Sequence, residues 1–185
     1  MLKRILLSVM ALAVMVLIGC GGPPTEDINK ATAAKKAADG VNGATYAKEQ
    51  YDAGTKAWTD GEASVKAKEW DKAKKAYMES TKQFDAAAKA APGNHDAMKA
   101  EITDRIAKAE EGHAKMEKDK SMMASMMKLK PADKAKADNM VKECKAAVAA
   151  AKDALAKDDL MAAKEALDKD DAIHKDLMAM MPTKK

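Results

Sequence analysis

The sequence is poor in aromatic residues, cysteine and arginine. Its 185 residues include one phenylalanine, three tyrosines, two tryptophans and two cysteines. Beyond residue 19 the single arginine is Arg105, whereas proteins that bind phosphate usually use several. A glycine-rich phosphate loop, a His-Glu-x-x-His motif, a paired-cysteine motif and a nucleophile elbow are all missing. We therefore expect a protein that is not an enzyme and has no cofactor.

Charge of either sign is close to balance. The chain has 33 basic and 29 acidic side chains, and removal of Lys3 and Arg4 with residues 1–19 leaves 31 basic ones and a net charge of about +2. Such a balance gives no reason to expect a nucleic-acid partner. Strand-favouring runs are also missing, while alanine and lysine dominate. This composition predicts an all-α fold.

The N-terminus has the form of a secretory signal. Two basic residues precede an apolar run over residues 5–18, which is too short for a membrane span with flanking charges. Leu17-Ile18-Gly19-Cys20 resembles the lipobox of bacterial lipoproteins, in which the cysteine becomes the first mature residue and carries acyl chains such as palmitate. The resemblance implies a signal peptide at 1–19, lipidation of Cys20 and a short tether at 20–24.

The position after the cysteine bears on location. It is Gly21 and not aspartate, which resembles the signal for sorting to the outer membrane. The resemblance therefore implies a lipid-anchored protein on the periplasmic side of that membrane, with an inner-membrane location as the alternative.

Helix-breaking residues divide the rest of the chain. Asp39-Gly40 and Asn42-Gly43 end a helix that begins near Thr25, Pro92-Gly93-Asn94 ends another, and Pro131 starts a third. The breaks predict a first helical-hairpin unit at 25–91, a long connecting helix at 92–130, a second, methionine-rich hairpin at 131–181 and a tail at 182–185.

Large and small residues alternate along two stripes between residues 46 and 91. Spacings of four and three place each stripe on one helix face. The polar corner at 66–69 predicts that the two helices fold back antiparallel. A turn centred at Glu69 sets Gly54 against Phe84 and Gly61 against Tyr77, so that glycine lets the backbones approach around the rings. The predicted packing residues are Gly54, Trp58, Gly61, Trp70, Tyr77 and Phe84.

The same pattern recurs more faintly 90 residues later. Trp70, Ala73 and Tyr77 map onto Leu160, Ala163 and Leu167. Two related hairpins at 46–91 and 136–181 would follow from an internal duplication. Alternatively, two alanine-rich heptad segments look alike without a common origin.

Part of the first hairpin resembles a known family. Tyr46-Ala47-Lys48-Glu49, Gly61-Glu62 and the run from Glu69-Trp70 to Tyr77 resemble the short tetratricopeptide-like domain, of uncharacterised function, of many bacterial envelope lipoproteins. The similarity covers residues 28–91, although Lys68 stands where that family usually has glycine. It implies a tetratricopeptide-like or bundle-like fold, no catalytic residues, and a binding or scaffolding role with a protein partner in the envelope.

The second hairpin suggests an alternative role in metal binding. Met140, Cys144, His174 and Met178 converge if the register carries over, and thiolate, imidazole and thioether ligands suit Cu(I). Asp170 would then orient His174. Alternatively, the methionines and Cys144 simply fill an apolar core. His95 and His113 have no partners in the sequence pattern and are expected at the surface or its boundary.

A further alternative concerns the C-terminus. The chain ends Thr183-Lys184-Lys185, and alanine-rich outer-membrane lipoproteins of the Braun type also end in a lysine, which is linked to peptidoglycan. The resemblance implies a cell-wall tether through Lys185. An ordinary solvated lysine tail is the other interpretation.

Overall fold

The computed structural model describes residues 22–181, so the predicted signal peptide at 1–19, Cys20 and the tail with Lys185 lie outside the described residues. Within this range the chain forms seven helices and no strand, which confirms the all-α prediction. None of these helices combines the length and the apolar character needed to cross a membrane. The helices are α1 (Thr25–Gly40), α2 (Gly43–Tyr46), α3 (Lys48–Lys66), α4 (Trp70–Lys118), α5 (Lys120–Met127), α6 (Pro131–Ala156) and α7 (Leu160–Met180).

The chain divides into two compact units between Gly93 and Asn94, a point that lies inside α4. The predicted helix end at Pro92 is therefore wrong, because α4 continues through this proline. Proline has a backbone φ close to that of a helix, and the alanine-rich residues around it favour helix strongly. Asn94 lies within the helix and does not begin one.

The segment 92–130 is not a connecting helix, and this prediction is also corrected. Residues 94–118 form the first helix of the second unit, where the Arg105 guanidinium bridges Asp168 and Asp171 at 2.9 and 2.7 Å. The second unit thus contains the second half of α4, then α5, α6 and α7.

In the first unit, α3 and α4 approach where the sequence places glycine. A Cβ on Gly54 would lie 2.9 Å from Cδ1 of Phe84, and one on Gly61 would lie 2.9 Å from Cε2 of Tyr77. Both pairs are those of the predicted register, and together they make the helices antiparallel. The rings of Tyr51 and Phe84 also contact each other edge to face, with their centroids 5.3 Å apart.

Helix α1 completes the first unit. Ala31, Ala34 and Ala38 are buried on one face of this helix. Near the C-terminal end of this helix, the Tyr51 hydroxyl donates a hydrogen bond to the Asp39 carboxylate. Ala34 and Ala38 share the core with Phe84 and with small residues of α4. Three helices, and not a hairpin alone, therefore enclose this core.

Equivalent turns join the last two helices of each unit. Lys68 and Asp158, which are 90 residues apart, are both left-handed, with φ of 59° and 58°. In each turn the next residue donates its N–H to the carbonyl five residues earlier, at 2.9 Å. Lys68 occupies the place where the family that the first hairpin resembles usually has glycine, and glycine is the residue that adopts this conformation at least cost.

Buried positions follow the same offset. Residues 47, 54, 57, 61, 73, 77, 80 and 87 are buried in the first unit, and so are residues 137, 144, 147, 151, 163, 167, 170 and 177 in the second. The two units thus place the same helix faces inward, which agrees with the offset of 90 residues read from the sequence.

Candidate functional site

The second unit contains an apolar pocket of about 520 Å³, here called the methionine pocket. This volume lies in the range of ligand-binding pockets in proteins. Its walls come from α4, α5, α6 and the end of α7, and its rim carries an ion pair between Glu117 and Lys145. Its lining residues are His113, Met116, Glu117, Met122, Met123, Met126, Asp138, Val141, Lys142, Cys144, Lys145 and Leu177.

The short helix α5 supplies most of the methionines. Met122, Met123 and Met126 line the pocket from this helix. Met123 is 51% exposed and its neighbour Met127 is 75% exposed. Flexible, polarisable methionine side chains adapt to partners of different shape. A wall of this kind suits an apolar ligand or the apolar face of a helix.

A buried polar cluster lies where the pocket reaches the core. His113 of α4, Cys144 of α6 and Asp170 of α7 are all buried, and their potential ligand atoms lie within 4.8 Å of one another. The Cys144 Sγ also contacts the main-chain carbonyl of Asp170 at 3.9 Å. Three helices thus contribute one chemically active side chain each to a single point.

Hydrogen bonding within this cluster is incomplete. His113 Nε2 lies 3.1 Å from Asp170 Oδ1, which is close enough for an ion pair if the imidazole is protonated. The angles are not those of a hydrogen bond, however, and neither buried atom has another hydrogen-bond partner among the described residues. Burial, followed by the neighbouring Asp170, raises the pKa of the Cys144 thiol to about 12.

Three of the predicted Cu(I) ligands line three different clefts of the second unit. Cys144 lies in the methionine pocket, His174 in a neighbouring cleft with Arg105, and Met140 in a third cleft. The Met178 side chain is 44% exposed. The structure places His113 and Asp170 beside Cys144.

The expectation for the other histidines is wrong for His113, which is buried. Its position follows Ile102 and Ile106 on one face of α4, with spacings of four and seven. That spacing was a signal in the sequence that would have placed His113 in the core. His95 is also not without partners, because its ring nitrogens lie 3.0 Å from Asp158 and 3.2 Å from Asp96.

Asp170 was expected to orient His174, and it faces His113 and Cys144 instead. It occupies the position of Ser80 in the first unit, where the Ser80 hydroxyl donates a hydrogen bond of 3.0 Å to the Gly54 carbonyl. At this equivalent position the first unit thus has a satisfied polar pair, and the second has the unsatisfied cluster.

Comparisons with known proteins give no assignment, because no family model, curated protein or solved structure matches the chain significantly.

Proposed function

We propose that this chain is a non-enzymatic binding protein of the bacterial cell envelope. It would be anchored by lipid at Cys20 on the periplasmic side of the outer membrane. The similarity to tetratricopeptide-like envelope lipoproteins belongs to this proposal. The observation that carries the binding role is the methionine pocket, an apolar surface accessible from outside the second unit.

The chemistry of the pocket indicates the class of partner. Its floor is formed by methionine, valine and leucine side chains, while Asp138, Lys142 and the Glu117–Lys145 pair provide charge at its edge. An apolar floor within a charged rim is typical of grooves that accept the apolar face of an amphipathic helix. We therefore propose a helical segment of another envelope protein as the partner.

The anchor is tested by labelling cells with a palmitate analogue. Wild-type protein is expected to incorporate the label and to fractionate with outer membranes, whereas Cys20→Ala is expected to lose both properties. Label in Cys20→Ala at the wild-type level would contradict the lipid anchor.

The binding role is tested with a photo-crosslinking residue at position 123, in the pocket, and a matched one at position 78. Met78 is 54% exposed but lies in the first unit. We expect an adduct from position 123 whose mapped peptide is an amphipathic helix, and no such adduct from position 78.

A second substitution makes this test specific. Met126→Lys is expected to abolish the adduct from position 123, because it places a charge on the apolar floor, while Met78→Lys leaves it unchanged. Equal adducts from positions 123 and 78, or an adduct that is insensitive to Met126→Lys, would refute the proposed pocket function.

A further inference from the structure

The buried cluster of the second unit has the composition of a metal site. It offers one imidazole nitrogen, one sulfur and one carboxylate oxygen from three different helices. These are the ligand types that Zn²⁺ accepts from proteins. We propose that His113, Cys144 and Asp170 form a Zn²⁺ site inside the second unit, with its fourth coordination position open toward the methionine pocket.

The unpartnered atoms are the first support for this site. His113 Nε2 and Asp170 Oδ1 are both buried, lie 3.1 Å apart and lack a hydrogen bond. The Asp170 side chain is 4% exposed and that of His113 is 11% exposed. Buried polar atoms are nearly always hydrogen-bonded, so two unpartnered atoms that lie close together fit an ion that binds both.

The second support is the contrast with the first unit. At the equivalent position, the Ser80 hydroxyl donates a hydrogen bond to the Gly54 carbonyl, and serine is not ionisable. A core of this shape therefore does not need a histidine, a cysteine and an aspartate. Their presence together at one point in the second unit calls for a role beyond packing.

Distances agree with a tetrahedral ion after small side-chain movements. Bonds of about 2.0–2.3 Å to nitrogen, oxygen and sulfur place neighbouring tetrahedral ligand atoms about 3.3–3.6 Å apart. The nitrogen–oxygen distance here is 3.1 Å, and the largest separation in the cluster is at most 4.8 Å. Rotations that move the sulfur by about an ångström would close the site.

The ligand set favours Zn²⁺ over Cu(I). Copper(I) prefers thiolate and thioether ligands, whereas a carboxylate suits harder or borderline ions. Three protein ligands and one open position are also typical of zinc sites that bind water or a further ligand. The ring of His174 lies nearly parallel to that of His113, with centroids 6.3 Å apart, and is the nearest additional imidazole shown at the site.

Metal binding is tested on the whole mature chain with Cys20→Ser, so that Cys144 is its one thiol. Co²⁺ serves as the spectroscopic probe and Zn²⁺ as its competitor. We expect one Co²⁺ per chain, a sulfur-to-cobalt charge-transfer band with the intense visible bands of tetrahedral coordination, and displacement of both signals by one equivalent of Zn²⁺.

Variants separate this site from adventitious binding. Cys144→Ala is expected to remove the charge-transfer band. His113→Gln and Asp170→Ser are expected to weaken Zn²⁺ binding by at least about 10- to 100-fold, the loss seen even for residues that only support a ligand. Asp170→Ser copies the Ser80 position, so circular dichroism is expected to show an intact helical fold.

The control is His95→Gln, since His95 also lies beside two carboxylates in the same unit. This variant is expected to bind Zn²⁺ as the parent does. No charge-transfer band, or an equal loss in His95→Gln, would overturn the site, as would normal binding by His113→Gln and Asp170→Ser. Zinc titration of the purified chain needs no partner protein, so its outcome is independent of the proposed envelope function.

Discussion

The close contact between Gly61 and Tyr77 allows the packing of the first unit to be tested quantitatively. The second unit solves the same packing problem differently, because Ala151 and Leu167 occupy the equivalent positions. Gly61→Ala alone adds a methyl group against the tyrosine ring. Gly61→Ala combined with Tyr77→Leu copies the pair of the second unit.

Two opposing effects decide the result of Gly61→Ala. Alanine is favoured over glycine inside a helix by about 1 kcal/mol. The added Cβ would lie 2.9 Å from Tyr77 Cε2, well inside the optimal carbon–carbon separation of about 3.5–4.0 Å. Overpacking of a tight core typically costs about 1–3 kcal/mol. We therefore expect a net destabilisation of about 1 kcal/mol.

The double variant isolates the contact. Tyr77→Leu loses an edge-to-face contact with the Trp58 ring, at 5.4 Å between centroids, and such contacts contribute about 0.5–1.5 kcal/mol beyond buried area. With leucine present, however, the new methyl group has room. We expect the double variant to be more stable than the sum of the single changes by about 1–3 kcal/mol, in the range found for contacting pairs.

Urea unfolding followed by tryptophan fluorescence is the appropriate assay. Both tryptophans, Trp58 and Trp70, lie in the first unit, so the signal reports on the unit that carries the substitutions. Gly93→Ala is the matched control, because its Cβ would meet nothing within 4 Å, and it is expected to stabilise by up to about 1 kcal/mol. Additive single effects, or a Gly61→Ala variant as stable as Gly93→Ala, would refute the proposed contact.

Three further predictions concern the turn, the exposed carboxylate of Asp39 and the thiol of Cys144. Lys68→Gly is expected to stabilise the first unit by up to about 1 kcal/mol, because Lys68 has a left-handed backbone conformation that is strained for lysine and not for glycine. Ala67→Gly, at an ordinary right-handed position, is the control and should destabilise the unit in the same urea assay. Hydrogen bonds, first from Tyr51 and then from Lys35, lower the pKa of Asp39. The ionised Asp39 therefore stabilises the fold above its unfolded pKa, and this stabilisation is lost as the pH falls below about 4. The thermal unfolding temperature of Asp39→Asn should depend less on pH in that window, and an unchanged pH dependence would disprove the contribution of Asp39. With the thiol pKa near 12, metal-free native Cys144 should react with a disulfide reagent at pH 8 about 10³-fold more slowly than the unfolded chain, and comparable rates would show that the thiol is not buried.

Hydrophobic periodicity in the sequence determined a large part of the fold. The alanine-rich composition predicted helices, and the alternation of rings with glycine predicted the pairs Gly54–Phe84 and Gly61–Tyr77, both of which the structure contains. These features are local or nearly local. They depend on the helix repeat and on one short turn, so spacing along the chain is sufficient to find them.

Tertiary structure alone decided how the second unit is assembled. The proline at 92 was expected to end a helix, but the propensity of its neighbours prevailed and α4 continues. Residues 94–118, which were expected to connect two hairpins, pack against α6 and α7 instead. This third helix supplies His113, which lies together with Asp170 beside Cys144.

The physical reason is the difference in sequence separation between the residues that interact. A helical face can be read from a single segment, because side chains three and four residues apart are neighbours. The choice of the third helix that packs against a hairpin depends on contacts between residues that are distant in sequence, such as His113 and Asp170. The sequence therefore determined the helices and their first pairing, whereas packing of the third helix created both the methionine pocket and the buried histidine–cysteine–aspartate cluster.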